Sequence, residues 1–467
     1  MQPSARPHLM PTAPEHYDAL IIGAGIGGLI AAAQLAQAGQ RVLVVENMSF
    51  VGGRFSAFPV AGIEFASGAF HTLPHGGAGP AAQALRRAGV QMSIPSAKVI
   101  ASFHVNGQHV VARTGFEVFK ILPGIRDKWK MCDVLLRSWR GGSYDGSYGQ
   151  WLIEQDASER VRAIFDRFCQ FALSTTVYDI PFDEGREVIR AVLKYGLPGV
   201  PVGGARAVAN GLHRAALRAG VTVRKNTHVD ALLTQDGRVC GARLRDRRRD
   251  VVSEVRADVI ISNAGPGSTH DMLRETGLNH HTLADDISPP PAVGLKVQVS
   301  SAKSLIDHDS IMFCLDTQRI AGILQVTNVD PNLSRDGRHL LISHQTIAPG
   351  ADWQHERDLA LEDWRYLFGD DFVDCEVVGV SHFPARFPVN WARQGHDVRT
   401  QPFADVGVWL VGDGVKPPGL MMVEGVAASA EQVAAQILGH ANVTPWEKSF
   451  TQWARALPGV LWRWARQ

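Results

Sequence analysis

Six residues, Gly23-Ala24-Gly25-Ile26-Gly27-Gly28, constrain the fold of this chain more than any others. They place Gly23, Gly25 and Gly28 at GxGxxG spacing between two apolar segments of different character. Residues 17–22 (YDALII) read as a buried strand. Residues 29–38 (LIAAAQLAQA) read as an Ala-rich helix stopped by Gly39, and residues 41–46 (RVLVVE) as a second buried strand, so the pattern predicts a βαβ unit. In such a unit Gly23 permits the tight turn, Gly25 lets the backbone approach a pyrophosphate, and Gly28 lets helix and strand pack closely. Glu46 closes the second strand where a carboxylate accepts the hydroxyls of a ribose. The expected ligand is a dinucleotide, and this fingerprint alone does not separate a nicotinamide from a flavin.

The next motif narrows the choice. Residues 51–54 (VGGR) bring two adjacent glycines that allow backbone contact with a diphosphate, and Arg54 adds a planar fork that can neutralise one. A chain of 467 residues is long enough for two or three lobes around such a ligand. Its 47 Lys and Arg against 46 Asp and Glu leave no excess charge for a phosphate polymer, which argues against nucleic acid. Five cysteines without a CxxC pair indicate neither a zinc site nor a disulfide framework, and no metal is expected. Residues 1–16 contain four prolines and no continuous apolar stretch, so they read as a flexible tail rather than a secretory signal. The longest apolar run, residues 19–33, is glycine-interrupted and shorter than the ~20 residues that span a bilayer.

Farther along, residues 198–204 (PGVPVGG), 226–229 (NTHV) and 259–264 (VIISNA) are followed by residues 411–414 (VGDG). With VGGR, these motifs make nearly the whole chain resemble the FAD-dependent superfamily of phytoene desaturases, carotenoid isomerases, retinol saturases and flavin amine oxidases. The expected fold is α/β. It comprises a discontinuous Rossmann-type FAD-binding domain (residues 17–85, 198–285 and 400–440), a helical lobe (86–197), a β-rich, mixed-sheet substrate domain (286–399) and a Trp/Arg-rich C-terminal segment (441–467). The resemblance implies that Gly23, Gly25 and Gly28 face the diphosphate of FAD and Glu46 its adenosine ribose. Gly53 and Arg54 would take the diphosphate and flavin side, and Val229 would hold adenine through its backbone. Asp413 would contact the ribityl or diphosphate portion, and the helix opening near Val423 and Gly425 would aim backbone N–H groups at the flavin. One departure from the superfamily is Met48, where many relatives carry an arginine. Without a nearby Cys or His to act as a tether, FAD is expected to be non-covalent.

Met422, before Val423-Glu424-Gly425, stands where amine oxidases place an aromatic ring, which favours an apolar substrate. Lys296 corresponds either to the strand lysine that amine oxidases keep beside flavin N5 or to an exposed strand lysine. His71, in residues 65–75 (FASGAFHTLPH), is a candidate proton donor or acceptor. Arg386, Asn390 and Trp391 are candidates for the substrate side. The expected reaction is hydride transfer between flavin N5 and a carbon of an apolar or polyene-like, isoprenoid-like substrate, by a desaturase, saturase or isomerase. The alternatives are a flavin amine oxidase and a non-catalytic FAD-containing binding protein. Trp446, Trp453, Trp462 and Trp464 stand among Arg455, Arg463 and Arg466, and Trp129 and Trp139 among similar cations; both segments are open to packing on the enzyme body or a second subunit or to a membrane surface, and a cytoplasmic protein in reversible membrane contact through its C-terminal segment is expected. The oligomeric state stays open.

Overall fold

The structure, a computed structural model, describes residues 14–68, 70–278 and 289–440. The N-terminal tail up to residue 13 and the C-terminal Trp/Arg-rich segment lie outside the described residues.

Apolar alternation in the opening strand, Glu15–Ile22, feeds two cores. Ala19 and Ile21 point to one side and Leu20 and Ile22 to the other, so the sheet built on this strand is covered on both faces. Glu15–Ile22 pairs in parallel with Val42–Glu46 on one side and with the long strand Val251–Ser262 on the other. Thr222–Lys225 extends the sheet beyond Val42–Glu46. Val251–Ser262 also receives Val408–Leu410 in parallel near its C-terminal end, and its N-terminal half pairs antiparallel with Arg238–Asp246, which pairs in turn with Thr227–Gln235. The hairpin between these two strands turns through Asp236 and Gly237, both at positive φ, as a Gln235-Asp236-Gly237 sequence predicts. Helices Ile26–Gln37, Gly204–Arg218 and Met422–Ile437 contribute the larger core on one face.

A second seven-stranded sheet runs in the order Glu376–Phe383, Gly294–Ser301, His339–Thr346, Gly322–Gln325, Met312–Cys314, Ala101–Val105 and Gln108–Ala112. Its one parallel pairing joins Met312–Cys314 to Ala101–Val105, which makes the sheet mixed. Gly294–Ser301 is buried along its whole length: Leu295, Val297 and Val299 share a core with helix Trp353–Phe368, and on the other face Lys296 and Gln298 bond the backbone of Gly68 and Ala66. Gln298 on this strand bonds both the N–H and the C=O of Ala66 at 3.0 Å, fastening the hairpin of Ala57–Val60 and Ile63–Ala66 to the sheet.

The helical lobe begins later than residue 86. Residues 101–112 form a hairpin within the second sheet, and the lobe's helices are Ile125–Arg140, Tyr148–Glu154, Glu159–Leu173 and Phe182–Tyr195. The strand pattern of 101–112 is brief, and its partner Met312–Cys314 lies some two hundred residues away, so local periodicity gives no sign of the pairing. Among the described residues no helix is long and apolar enough to cross a membrane.

Candidate functional site

Three distant segments meet at the C-terminal ends of the parallel strands. The glycine turn after Glu15–Ile22 touches the VGGR segment through a bridge between Gly25 and Gly52, with Gly52 N–H donating to Ala24 C=O at 2.8 Å. Asn263, one residue past Val251–Ser262, closes the turn from below. With its amide oriented so that both ends are satisfied, it accepts from Gly25 N–H and donates to Val411 C=O, each at 3.2 Å. Asn263 belongs to the VIISNA motif, and the superfamily resemblance assigns it no contact. The signal was its position directly after a strand that aims at the glycine turn.

These segments enclose a cavity of about 910 Å³, within the size range of cofactor sites. Gly23, Gly25, Glu46, Gly53, Arg54, Val229, Asp413 and Val423 line it, eight of the ten residues expected at the cofactor. Gly28 and Gly425 do not line it, and geometry gives each another role. A Cβ on Gly28 would lie 2.2 Å from the Gly23 C=O, so its missing side chain lets the helix start against the strand turn. A Cβ on Gly425 would lie 2.5 Å from the Leu420 C=O and 2.6 Å from the Lys416 Cβ, so this glycine seats the C-terminal helix on the loop before it.

At one end of the cavity the Glu46 carboxylate accepts from Ala24 N–H and Met48 N–H, both at 2.8 Å, and burial raises its pKa above the ordinary carboxylate value. Val229 stands close by at a β-bulge between Val229 and Ala231, where the ladder is locally broken. These residues fit the adenosine half of FAD. Exposed glycine backbone around Gly23, Gly25 and Gly53 fits the diphosphate.

Arg54 and Asp413 depart from the expected open fork. The guanidinium donates to Asp413 at 2.7 Å and to the Pro388 and Val389 C=O groups at 3.0 and 2.9 Å, and it lies 5.5 Å from the Trp391 ring centroid. Arg54 is therefore a clasp that ties the VGGR segment to the loop before the C-terminal motif, because protein acceptors already occupy both its terminal nitrogens. Asn390 and Trp391 line the cavity, whereas Arg386 does not, its guanidinium lying 5.2 Å from the ring centroid of the exposed Phe387.

The opposite end is assembled around Lys296 and Met422, both on the cavity wall. Lys296 is 2% exposed, which rules out an exposed strand lysine. Its ammonium donates to the Gly68 C=O and lies 5.0 Å from the ring centroid of Phe70 and 4.9 Å from that of Phe383. Burial, assisted by the Arg54 charge, lowers its pKa to about 7. Met422 opens helix Met422–Ile437 with φ at +51°.

His71 does not face this cavity. Its Nε2 bonds the Glu64 C=O at 2.7 Å, its Nδ1 accepts from Ala205 N–H at 3.1 Å, and burial lowers its pKa to about 4. Both ring nitrogens are committed to backbone, so His71 is not the expected proton donor or acceptor but a neutral cross-link between two chain segments. Glu424 is a functional carboxylate that no local sequence signal marks. Wholly buried, it accepts from His75 N–H at 3.0 Å and Ala81 N–H at 2.7 Å, and burial raises its pKa to about 7. It thereby caps the N-terminus of helix Pro80–Arg87.

The FAD binding domain family is matched over residues 18–293. An uncharacterised protein of Methanocaldococcus jannaschii is 32% identical over 420 residues, covering 89% of this chain and 98% of that protein. The prolycopene isomerase of Daucus carota is 26% identical over 415 residues, covering 76% of this chain and 65% of its own length. Among solved structures, an oxidoreductase from Methanosarcina mazei superposes with a TM-score of 0.81 at 29% identity, covering 89% of this chain and 99% of that one.

Proposed function

Because this chain belongs to the FAD binding domain family, as an FAD-dependent oxidoreductase of the superfamily that holds carotenoid isomerases and flavin amine oxidases, we propose that its substrate is apolar and conjugated, an isoprenoid-like polyene. Bound FAD would exchange a hydride at N5 with a substrate carbon, as in a desaturase, saturase or isomerase. Met422 carries this reading. At the wall where a ring would cage an ammonium, it offers a flexible thioether that packs on apolar surface and attracts a cation weakly.

The chain's own groups act by placement. Glycine backbone at 23, 25 and 53 leaves room for the diphosphate, Glu46 stands at the ribose end, and the positive N-terminus of helix Met422–Ile437 stabilises negative charge at the flavin end. Phe70 and Phe383 exclude water around Lys296, which is about half neutral at pH 7 and so able to hold or release one proton at Nζ.

The buried lysine is also the one observation that favours amine oxidation, since its place on the cavity wall suits that chemistry. Against it, a protonated Lys296 would repel an ammonium substrate. Anaerobic mixing of the FAD-loaded protein with polyenes and with primary and secondary amines, followed in the flavin spectrum, separates the readings. Bleaching of oxidised flavin by a polyene, or reoxidation of reduced flavin by one, is expected. Bleaching by amines alone overturns the proposal in favour of an amine oxidase, and a flavin inert to both leaves a non-catalytic binding protein.

A further inference from the structure

Helix Ile125–Arg140 is apolar on two opposite sides. At 100° per residue Met131, Val134 and Ser138 share one face, and all three are buried, Met131 and Val134 in a cluster with Trp151, Leu152 and Met421. On the other side Ile125, Trp129, Cys132 and Leu136 fall on a single line and face solvent, with Ile125 and Trp129 each 71% exposed. Phe116, in the turn before the helix, is 72% exposed. A globular protein that leaves a contiguous row of large apolar groups in water has a use for it.

Charge selects the occupant. Lys128 borders the row on one edge and Arg126, Arg137 and Arg140 on the other, so the 16-residue helix carries five cations against two carboxylates, Asp127 and Asp133. Asp133 is already paired with Arg137 at 2.7 Å and Arg126 with Asp156, which leaves Lys128 and Arg140 as the cations that border the row on its two edges. A second copy of this face would meet like charge, whereas an anionic bilayer meets opposite charge and accepts the rings at headgroup depth. We propose that this face of helix Ile125–Arg140, with Phe116, docks the enzyme on an anionic membrane surface. The same helix packs inward on the cluster that holds Met421 and touches Met422, so the lobe stands between the docked surface and the cavity wall. The inference rests on the surface alone and does not depend on the identity of the substrate.

The test uses the full chain with FAD, sedimented with vesicles of phosphatidylcholine alone or mixed with phosphatidylglycerol. Binding is expected only to the anionic vesicles, with release at about 0.5 M salt. Ile125→Ser, Trp129→Ser and Leu136→Ser together should weaken that binding about tenfold or more. Lys128→Gln with Arg140→Gln should weaken it about tenfold while leaving the apolar row intact. Both variants should keep the flavin spectrum and the solution size of the parent. The proposal is overturned if the full chain ignores anionic vesicles, or if both variants bind them as the parent does. It is also overturned if the triple serine variant converts a dimer into a monomer, since the face would then belong to a second copy. None of these results bears on the flavin chemistry, which is read without lipid.

Discussion

Lys296 and His71 are both buried basic groups that the sequence offered as candidates, and their surroundings give them opposite roles. Lys296 borders the cavity, so Lys296→Met should retain FAD, judged by flavin absorbance, and remove any inflection near pH 7 from the pH profile of flavin reduction. Its effect on stability follows from the same shift. The folded pKa of about 7 lies below the unfolded value of 10.5, so the unfolded chain binds more protons between these limits and stability rises with pH across them. Thermal midpoints at pH 7 and 8.5 should show this rise in the parent, at most about 1.4 kcal/mol per pH unit, and a smaller one in the variant. His71→Asn should instead cost about 2 kcal/mol of stability at pH 7 by weakening two backbone links, with turnover at saturating substrate unchanged. The imidazole is neutral in the fold down to about pH 4 and protonates near 6.5 when unfolded, so its contribution is present above 6.5 and lost as pH falls through 4. The measured penalty should therefore shrink at pH 5. Gly23, Gly25 and Glu46 could be placed on the cavity wall from the sequence because local spacing alone puts them at the strand ends. His71 could not, because Ala205, its N–H donor, is more than a hundred residues away.

The elements are held at the site by a few polar fasteners. Asp413→Asn removes the charge from the Arg54 clasp, which the Pro388 and Val389 carbonyls still hold. A loosened crevice, with FAD affinity down about tenfold, is expected by fluorescence titration, equivalent to about 1.4 kcal/mol. Glu424, near the start of one helix, caps another with a carboxyl group that folding holds protonated up to about pH 7, against 4.5 when unfolded. Its contribution is therefore complete below 4.5 and lost as pH rises through 7. Glu424→Gln, which does not titrate, should gain on the parent by about 3 kcal/mol between pH 4.5 and 8 in denaturant melts. The hairpin through Asp236 and Gly237 was readable because the turn is encoded where it forms. The strands in residues 101–112 are not legible as strands from local sequence, because what makes them strands is a sheet partner elsewhere in the chain.

For the whole molecule, the two-sheet α/β plan with a helical lobe could be read because its motifs are spread from end to end, while the course of the segments between the sheets could not. FAD binds the assembled form alone, so added cofactor should raise the unfolding free energy by about 2.7 kcal/mol at a hundredfold excess over Kd. Because chain segments interleave between the sheets, circular dichroism and flavin release should report coincident transitions. The strand Val251–Ser262 has a consequence in time. Glu15–Ile22 finds its parallel partner there only after some 240 further residues, and the cavity gains Asp413 and Met422 later still. At roughly 5–20 residues per second a ribosome spends about 12 to 48 seconds on that stretch. Throughout it the glycine turn has Val42–Glu46 on one flank, none of Val251–Ser262 on the other, and no complete pocket. Cofactor capture thus waits until the chain has been made past Met422; before that point chaperones have access to the half-built sheet, and from it onward the supply of FAD decides when the crevice fills.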